Sequence, residues 1–419
     1  MRVIDNMADS TSFNAYNQTP LFVRDGIYYL FYTDDSDGNS LYMRQGKSVR
    51  ELASATQQRV LDGMDRIEGK AYCVSYNTVV DIVGLAGYNK TTGICSFRYG
   101  SFDSVGEINW NIQHGTDAIA RTFLGVGLDA AVAIGFTTSG RWLYHLTINA
   151  GAVNAFWACG RTHPTESAHW TNHGGDVAIG GEWEPATISG VGADSNNRGI
   201  ICAEASATNE FYWYYWNGAV LGVRQALLNP DMEAPVGNSI LLSDGNVRIA
   251  CREEGPGFKQ DVYIYTYDES ANTFSNQEIV TLPNTTLTPR QVVALAKDDD
   301  NDNMYLVFNE KNAGGTVQYI RFYKYQNGVW NNLTDRLSTL DISDPYTEIT
   351  SIAIVESGRA AAGGSNTVVA WTNIADGRNE LWMTEIRDLL VSFTATPRKG
   401  NAPLRVKFTD TSQSIDTEI

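Results

Sequence analysis

The sequence predicts an all-β chain, and three observations carry that reading. The 419 residues include 38 Gly, 21 Tyr and 10 Trp, a composition that favours pleated strands and tight turns over helices. No run of apolar residues at helical spacing lasts beyond two turns, so no sizeable amphipathic helix is expected. A module also recurs roughly every 55 residues along the chain: an apolar strand, a Gly/Asp turn, a second apolar strand, a polar turn, an aromatic third strand, and a polar or Trp-marked fourth.

The turn and second strand are read at RDGIYYLFYT (24–33), SGRWLYHLTI (139–148), NRGIICAEA (197–205), DGNVRIACREE (244–254), DNMYLVFNE (302–310) and SNTVVAWTN (365–373). VVDIVGLAGY (79–88) is a less regular member. Aromatic third strands follow at SLYMRQG (40–46), ICSFRYGS (94–101), NAFWACGR (154–161), EFYWYYWN (210–217), DVYIYTYD (261–268), VQYIRFYKY (317–325) and ELWMTEIRD (380–388). Between second and third strands lie Gly, Asn and Asp residues, which tolerate the positive φ of hairpin turns.

Four-stranded units that are apolar on both faces cannot stand alone and must pack against one another, which is the requirement of a β-propeller. A seven-bladed β-propeller over residues 1–389 is expected, with six blades and one misread duplicate as the alternative. The last unit, starting near Glu348, offers only three strands. RVIDN (2–6) is a near copy of RVLDG (59–63), which ends the first unit. The N-terminal strand is therefore expected to complete the last blade and remove its open edge.

Charge and hydropathy narrow the partners. A net charge of −17 repels phosphate backbones and argues against nucleic acid. No apolar stretch is long enough to span a bilayer, so no membrane insertion is expected, and Met1 does not open a basic-then-apolar signal peptide. A mature N-terminus, or export without such a signal as for a phage structural protein, is the expectation. The cysteines (Cys73, Cys95, Cys159, Cys202, Cys251) sit in apolar strand-like runs without metal-ligand spacing, and buried free thiols are expected.

From Leu390 the text changes to VSFTATPRKGNAPLRVKFTDTSQS (391–414). It resembles the opening of a PKD (polycystic-kidney-disease-type) domain: a strand of the type SFTATP, a Gly-x-Ala-Pro-Leu turn, and a strand of the type VxFTDTS. The resemblance implies the beginning of an Ig-like β-sandwich over 390–419, and an extracellular, cell-surface or virion setting. SFDSVGEINW (101–110) resembles the Asp-box of sialidase-like propellers through Ser101, Asp103, Gly106 and Trp110, with stretched spacing and no Thr.

In the usual propeller winding, the starts of the first strands and the ends of the second share one rim. Asp129, Glu233 and Glu348 are the candidate catalytic carboxylates there, because glycoside hydrolysis needs one acid and one base or nucleophile across a sugar ring. Lys70, Glu204, Arg252, Glu253, Arg290, Asn309 and Glu310 are candidate ligand-binding residues of the same rim, with Thr19 and Thr187 at corresponding first-strand starts. DDDND (298–302) resembles an oxygen-rich calcium loop, which makes Asp298, Asp300 and Asp302 candidate Ca²⁺ ligands; no other cofactor is expected. A non-catalytic surface or adhesion module touching cell-surface glycans, within an extracellular or virion protein and a larger assembly, is the favoured function. A secreted glycoside hydrolase and a purely architectural subunit are the alternatives.

Overall fold

The computed structural model describes residues 2–7, 19–34, 40–61, 72–89, 94–111, 130–148, 153–174, 183–205, 210–226, 232–235, 239–253, 262–280, 288–298, 302–311, 318–333, 348–357, 367–375, 378–386, 393–396 and 407–410. These residues build a β-propeller. Six blades are each drawn from one contiguous run of chain: residues 21–61, 72–110, 130–174, 183–226, 232–280 and 288–332. Within each blade the strands lie side by side in chain order and pair antiparallel, except that in blade five Met232–Pro235 and Ile240–Leu241 both pair with Val247–Glu253. A composite sheet takes Glu348–Ile354, Thr367–Ala375 and Arg378–Ile386 from one end of the chain and Arg2–Met7 from the other.

The packing explains why the strands read as apolar runs instead of alternating. In blade one, Leu21, Val23, Leu30 and Tyr32 pack toward the composite sheet, while Phe22, Tyr29 and Phe31 pack toward blade two. Successive residues point to opposite faces of a strand, and here both faces are interior. Apolar clusters of this kind fill the space between successive sheets all the way round, the composite sheet included. Each large side chain buried in them contributes about 1.5–3 kcal/mol relative to exposure.

Polar contacts stitch the end of the blades where first strands turn into second ones. The turn of blade one reaches blade two: Arg24 Nε and Nη2 donate to the two carboxylate oxygens of Asp81 at 2.7 and 2.8 Å, and the Tyr76 hydroxyl donates to Oδ1 at 2.8 Å. Blade two reaches blade three through Asn77 Nδ2 and the Gly140 carbonyl, 2.9 Å. Blade three reaches blade four through Ser139 N and the Asn196 carbonyl, 2.9 Å, and blade four reaches blade five through Gly192 N and the Gly245 carbonyl, 2.8 Å. Blade five reaches blade six where Ser243 N and its hydroxyl donate to Asp302. The partners stand 57, 63 and 59 residues apart in the side-chain cases, so the repeat seen in the text is also the spacing of the stitches. Between the composite sheet and blade one, Glu356–Ser357 pairs parallel with Phe22 and Val23.

Four of the expected buried thiols are found: Cys73, Cys159, Cys202 and Cys251 are free and buried. The side chain of Cys95 lies outside the described ones. One short helix, Val49–Ser54, joins the third and fourth strands of blade one; Ser48 accepts from Glu51 N at 3.2 Å to start it. No helix among the described residues is long and apolar enough to cross a membrane.

Two expectations need correcting. Six blades, not seven, are complete within one run of chain, because the run after residue 348 supplies three strands and the fourth comes from Arg2–Met7. The tail does not show an Ig-like PKD sandwich: its described part is one two-stranded hairpin, Phe393–Thr396 with Lys407–Asp410, and a sandwich requires two sheets packed face to face. The Asp-box-like stretch forms the turn between third and fourth strands of blade two. There Asp103 Oδ1 accepts from Val105 N and Glu107 N, both at 2.9 Å, and Gly106 takes φ +86. The carboxylate organises its own turn.

Candidate functional site

The strand register defines the rim. The start of each first strand pairs with the end of the second: Glu184 with Glu204 in blade four, Met232 with Glu253 in blade five, Pro289 with Glu310 in blade six, and Glu348 with Ile374 in the composite sheet. Four successive sheets thus carry a glutamate at the same end of their inner strand pair. Glu233 lies in the first strand of blade five, Arg252 in its second, and Arg290 in the first strand of blade six. The side chains of these residues lie outside the described ones. Asp129 and Lys70 lie outside the described residues.

Proline marks this rim. The first strands of blades four, five and six each break register at or beside Pro185, Pro235 and Pro289. Proline has no N–H to give the ladder, which fits a break there, though the composite sheet breaks register between Ile349 and Ser351 without one. The break also explains a displaced expectation. Thr187 does not open its strand, which begins earlier at Trp183; it is fully buried and donates to Ser239 Oγ at 2.8 Å. Thr19 is buried as well, its amide and hydroxyl donating to the Val74 carbonyl at 2.8 and 3.2 Å.

Between blade six and the composite sheet the described side chains form a polar layer at the rim. Val307 and Phe322 of blade six share an apolar cluster with Trp371 and Trp382 of the composite sheet. Asn309 stands two residues beyond Val307 on the same strand, opposite Ile320, and is 1 % exposed. Glu380 stands two residues before Trp382, opposite Asn373, and is 8 % exposed. Two-residue alternation turns both toward the same space. The Trp382 indole N–H donates to Glu380 Oε2 at 2.9 Å, and Trp382 is itself stacked on Trp371 with ring centroids 6.4 Å apart. Asn309 is one of the rim candidates read from the sequence, here given a strand position and a burial. Glu380 is not among them: ELWMTEI reads as one more aromatic third strand, and the only signal was a glutamate two residues from a tryptophan, on the same face.

The calcium reading meets a different geometry at its one described side chain. Asp302 caps the first turn of blade six at φ +51. Its carboxylate pairs with Lys297 Nζ at 2.7 Å and accepts from Ser243 N at 3.1 Å. Partial burial would raise its pKa, but the Lys297 ammonium and the Ser243 donors outweigh it and lower the value. Asp302 therefore serves a contact between blades. The side chain of Asp298 is outside the described ones, as is all of Asp300. Among the described residues no group of three or more His, Cys, Asp and Glu could hold a metal ion.

No protein-family model matches the chain, and no curated protein matches it in sequence. Solved structures do. A PL25 ulvan lyase, solved bound to -[GlcA(1-4)Rha3S]-, is similar at 10% identity, with 92% of this chain and 95% of that chain covered and a TM-score of 0.51. The β-propeller domain of the Trilobed protease from Pyrococcus furiosus is similar at 8% identity over 90% and 97% of the two chains, TM-score 0.45. A fungal lectin from Aleuria aurantia, a six-bladed β-propeller, is similar at 12% identity over 77% and 96%, TM-score 0.40. At such identities a likeness speaks to fold alone. The seven-blade and PKD resemblance is corrected: what stands is an all-β propeller, with six blades each complete in one run of chain.

Proposed function

We propose that the rim at the first-strand starts binds glycans, and that the chain is a non-catalytic surface module of an extracellular or virion-borne protein. The supporting observation is the register that sets Glu204, Glu253, Glu310 and Glu348 at corresponding ends of four successive sheets. Carboxylates are pure acceptors, suited to the hydroxyl donors that sugars offer in rows, and a net charge of −17 selects against polyanions. A glycan array probed with the purified chain, followed by titration of the best ligand, tests the reading. Binding should weaken about tenfold or more when Glu253 and Glu310 are both changed to Gln, as expected for lost hydrogen bonds to charged groups; an array blank throughout refutes it.

One observation favours a second reading. Glu233 and Glu348 both lie in first strands at the rim end, in sheets separated by blade six, and a glycoside hydrolase uses two carboxylates, with Asp129 the third candidate. In that case a glycan library is turned over, and Glu233→Gln or Glu348→Gln abolishes turnover. Hydrolysis unaltered in both variants rejects the assignment.

A further inference from the structure

Two histidines enter the apolar seam between blades three and four, where Leu143 and Phe156 of blade three meet Ile201, Tyr214 and Trp216 of blade four. His145 stands two residues beyond Leu143 on the same unbroken strand, so alternation turns it into this seam, and it is 3 % exposed. His173 enters from the outer strand. The ladder pairs Trp157 with Asn172 but Phe156 with Gly174, so His173 is the extra residue of a bulge, a device that re-aims a side chain. Its ring centroid lies 4.4 Å from that of Trp216 and 6.1 Å from that of Phe156, bridging the two blades.

Little around the seam could balance a positive charge. Val153–Cys159 and Trp170–Gly174 carry no charged residue besides His173 itself. On the facing strand the one carboxylate, Glu210, stands at the rim end, six residues and roughly 20 Å from Trp216. Glu184 also belongs to the rim end, and Glu204 alternates with Cys202 toward blade five. The Tyr212 and Tyr214 phenols titrate far above the range of an imidazole. Arg224 is a cation, held over the Tyr212 ring at 4.5 Å, while Arg141 and the Asp194–Arg198 pair belong to turns at the opposite end of the blades. Burial pushes the His173 imidazole below its usual range.

We propose that this seam is a proton-sensitive latch: neutral imidazoles close it, and protonation of His173 and His145 releases the outer strand Trp170–Gly174 and parts blade three from blade four. The outer strand goes first, because it is paired on one side only and its ladder is already bulged. A closed seam excludes the proton that an opened one accepts. Opening is therefore favoured as pH falls below about 6.5 and suppressed above it. Each histidine that is neutral when closed and charged when open shifts the opening equilibrium by up to about tenfold per pH unit. Release uncovers the backbone edge of Val153–Cys159 and the Phe156 and Trp216 rings.

Amide exchange of the intact chain at pH 7.5 and 5.5, corrected for the intrinsic pH dependence of exchange, tests the latch; at pH 5.5 ordinary carboxylates are still ionised. On acidification, protection within 153–159, 170–174 and 210–216 should fall about tenfold or more. Residues 262–268 and 318–326, third strands of blades five and six, should keep theirs. His173→Gln should at least halve the logarithm of the loss, and adding His145→Gln should abolish it. Unchanged protection at pH 5.5, an equal loss in the two control strands, or a full loss persisting in His173→Gln overturns the latch. The comparison between segments of the unmutated protein decides by itself where a variant does not fold.

Discussion

Replacing Asp81 by Asn should loosen the contact between blades one and two by about 2 kcal/mol. Arg24 is 13 % exposed and Asp81 is 26 % exposed, and they meet through a planar two-point contact of 2.7 and 2.8 Å. Arg24 also lies over the Phe102 ring at 4.5 Å, and its guanidinium is held still more firmly protonated, chiefly by the hydrogen bond to Asp81. Breaking a fully buried pair by removing one partner costs about 3–5 kcal/mol, and an exposed pair is worth about 0–1; partial burial places this one between the two. Asn is the right replacement because residue 81 sits at φ +56, where Asn is tolerated and Ala would add backbone strain. With an unfolding entropy of about 2.1 cal/mol/K per residue, the melting temperature of so long a chain moves by only about 2 °C. Urea unfolding in a double-mutant cycle with Arg24→Met is therefore the assay. The coupling should exceed about 1 kcal/mol, since Asp81→Asn has little left to break once Arg24 is gone. Equal costs of Asp81→Asn in the two backgrounds would show that the contact is not the source of stability.

Removing residues 2–7 should expose the edge of Arg378–Ile386 and lower the melting temperature while promoting self-association through that edge; unchanged melting and a monodisperse monomer in sedimentation would contradict it. Alkaline pH should destabilise the fold. Burial pushes the Cys73 thiol up to about 12 and the Cys159 thiol to about 11, and burial likewise raises the Tyr29 phenol to about 12. The native state then keeps protons that the unfolded chain releases above about pH 8.5 for thiols, so stability is intact below that pH and falls as pH rises toward 12. Chemical unfolding at pH 7, 9 and 10.5 reads the slope, and a flat profile would count against buried thiols. In parallel, a thiol reagent at pH 8 should leave these cysteines unlabelled until the protein is unfolded.

The repeat was legible because each blade is buried on both faces, which writes strands as unbroken apolar runs separated by turn residues. The irregular second strand of blade two has a packing cause: a Cβ at Gly84 would lie 2.5 Å from Trp142 Cζ3 of blade three, so the strand yields its side chain to its neighbour's indole. The first strands were harder to place, since Pro185, Pro235 and Pro289 break the ladder near the rim and shift where the strand begins, as Thr187 shows. Residues such as Glu204, Arg252 and Glu310 were assignable to the rim because second strands end where hairpin turns begin. The burial of Glu380 was not legible because it depends on which sheet stands opposite it, and facing sheets are set by ring closure, which a local pattern does not encode. Asp302 read as one of several oxygen donors in a local Asp/Asn run because one of its partners, Ser243, comes from the neighbouring blade and is brought to it only by the fold, while Lys297 lies on its own hairpin.

Apolar clusters between every pair of adjacent sheets have a consequence for how the molecule comes apart. A linear stack of repeats has two terminal units, each held on one side, and it frays from them. In a ring no sheet is terminal. Opening any one of them must break the clusters on both its faces, and what remains is an open arc with two wet apolar walls. Partial unfolding is thereby penalised twice, so amide exchange in the central strands should proceed through a single global event with nearly equal protection from blade to blade. The interval between stitches, about one repeat, is then also the shortest length of chain that can leave without stranding a neighbour.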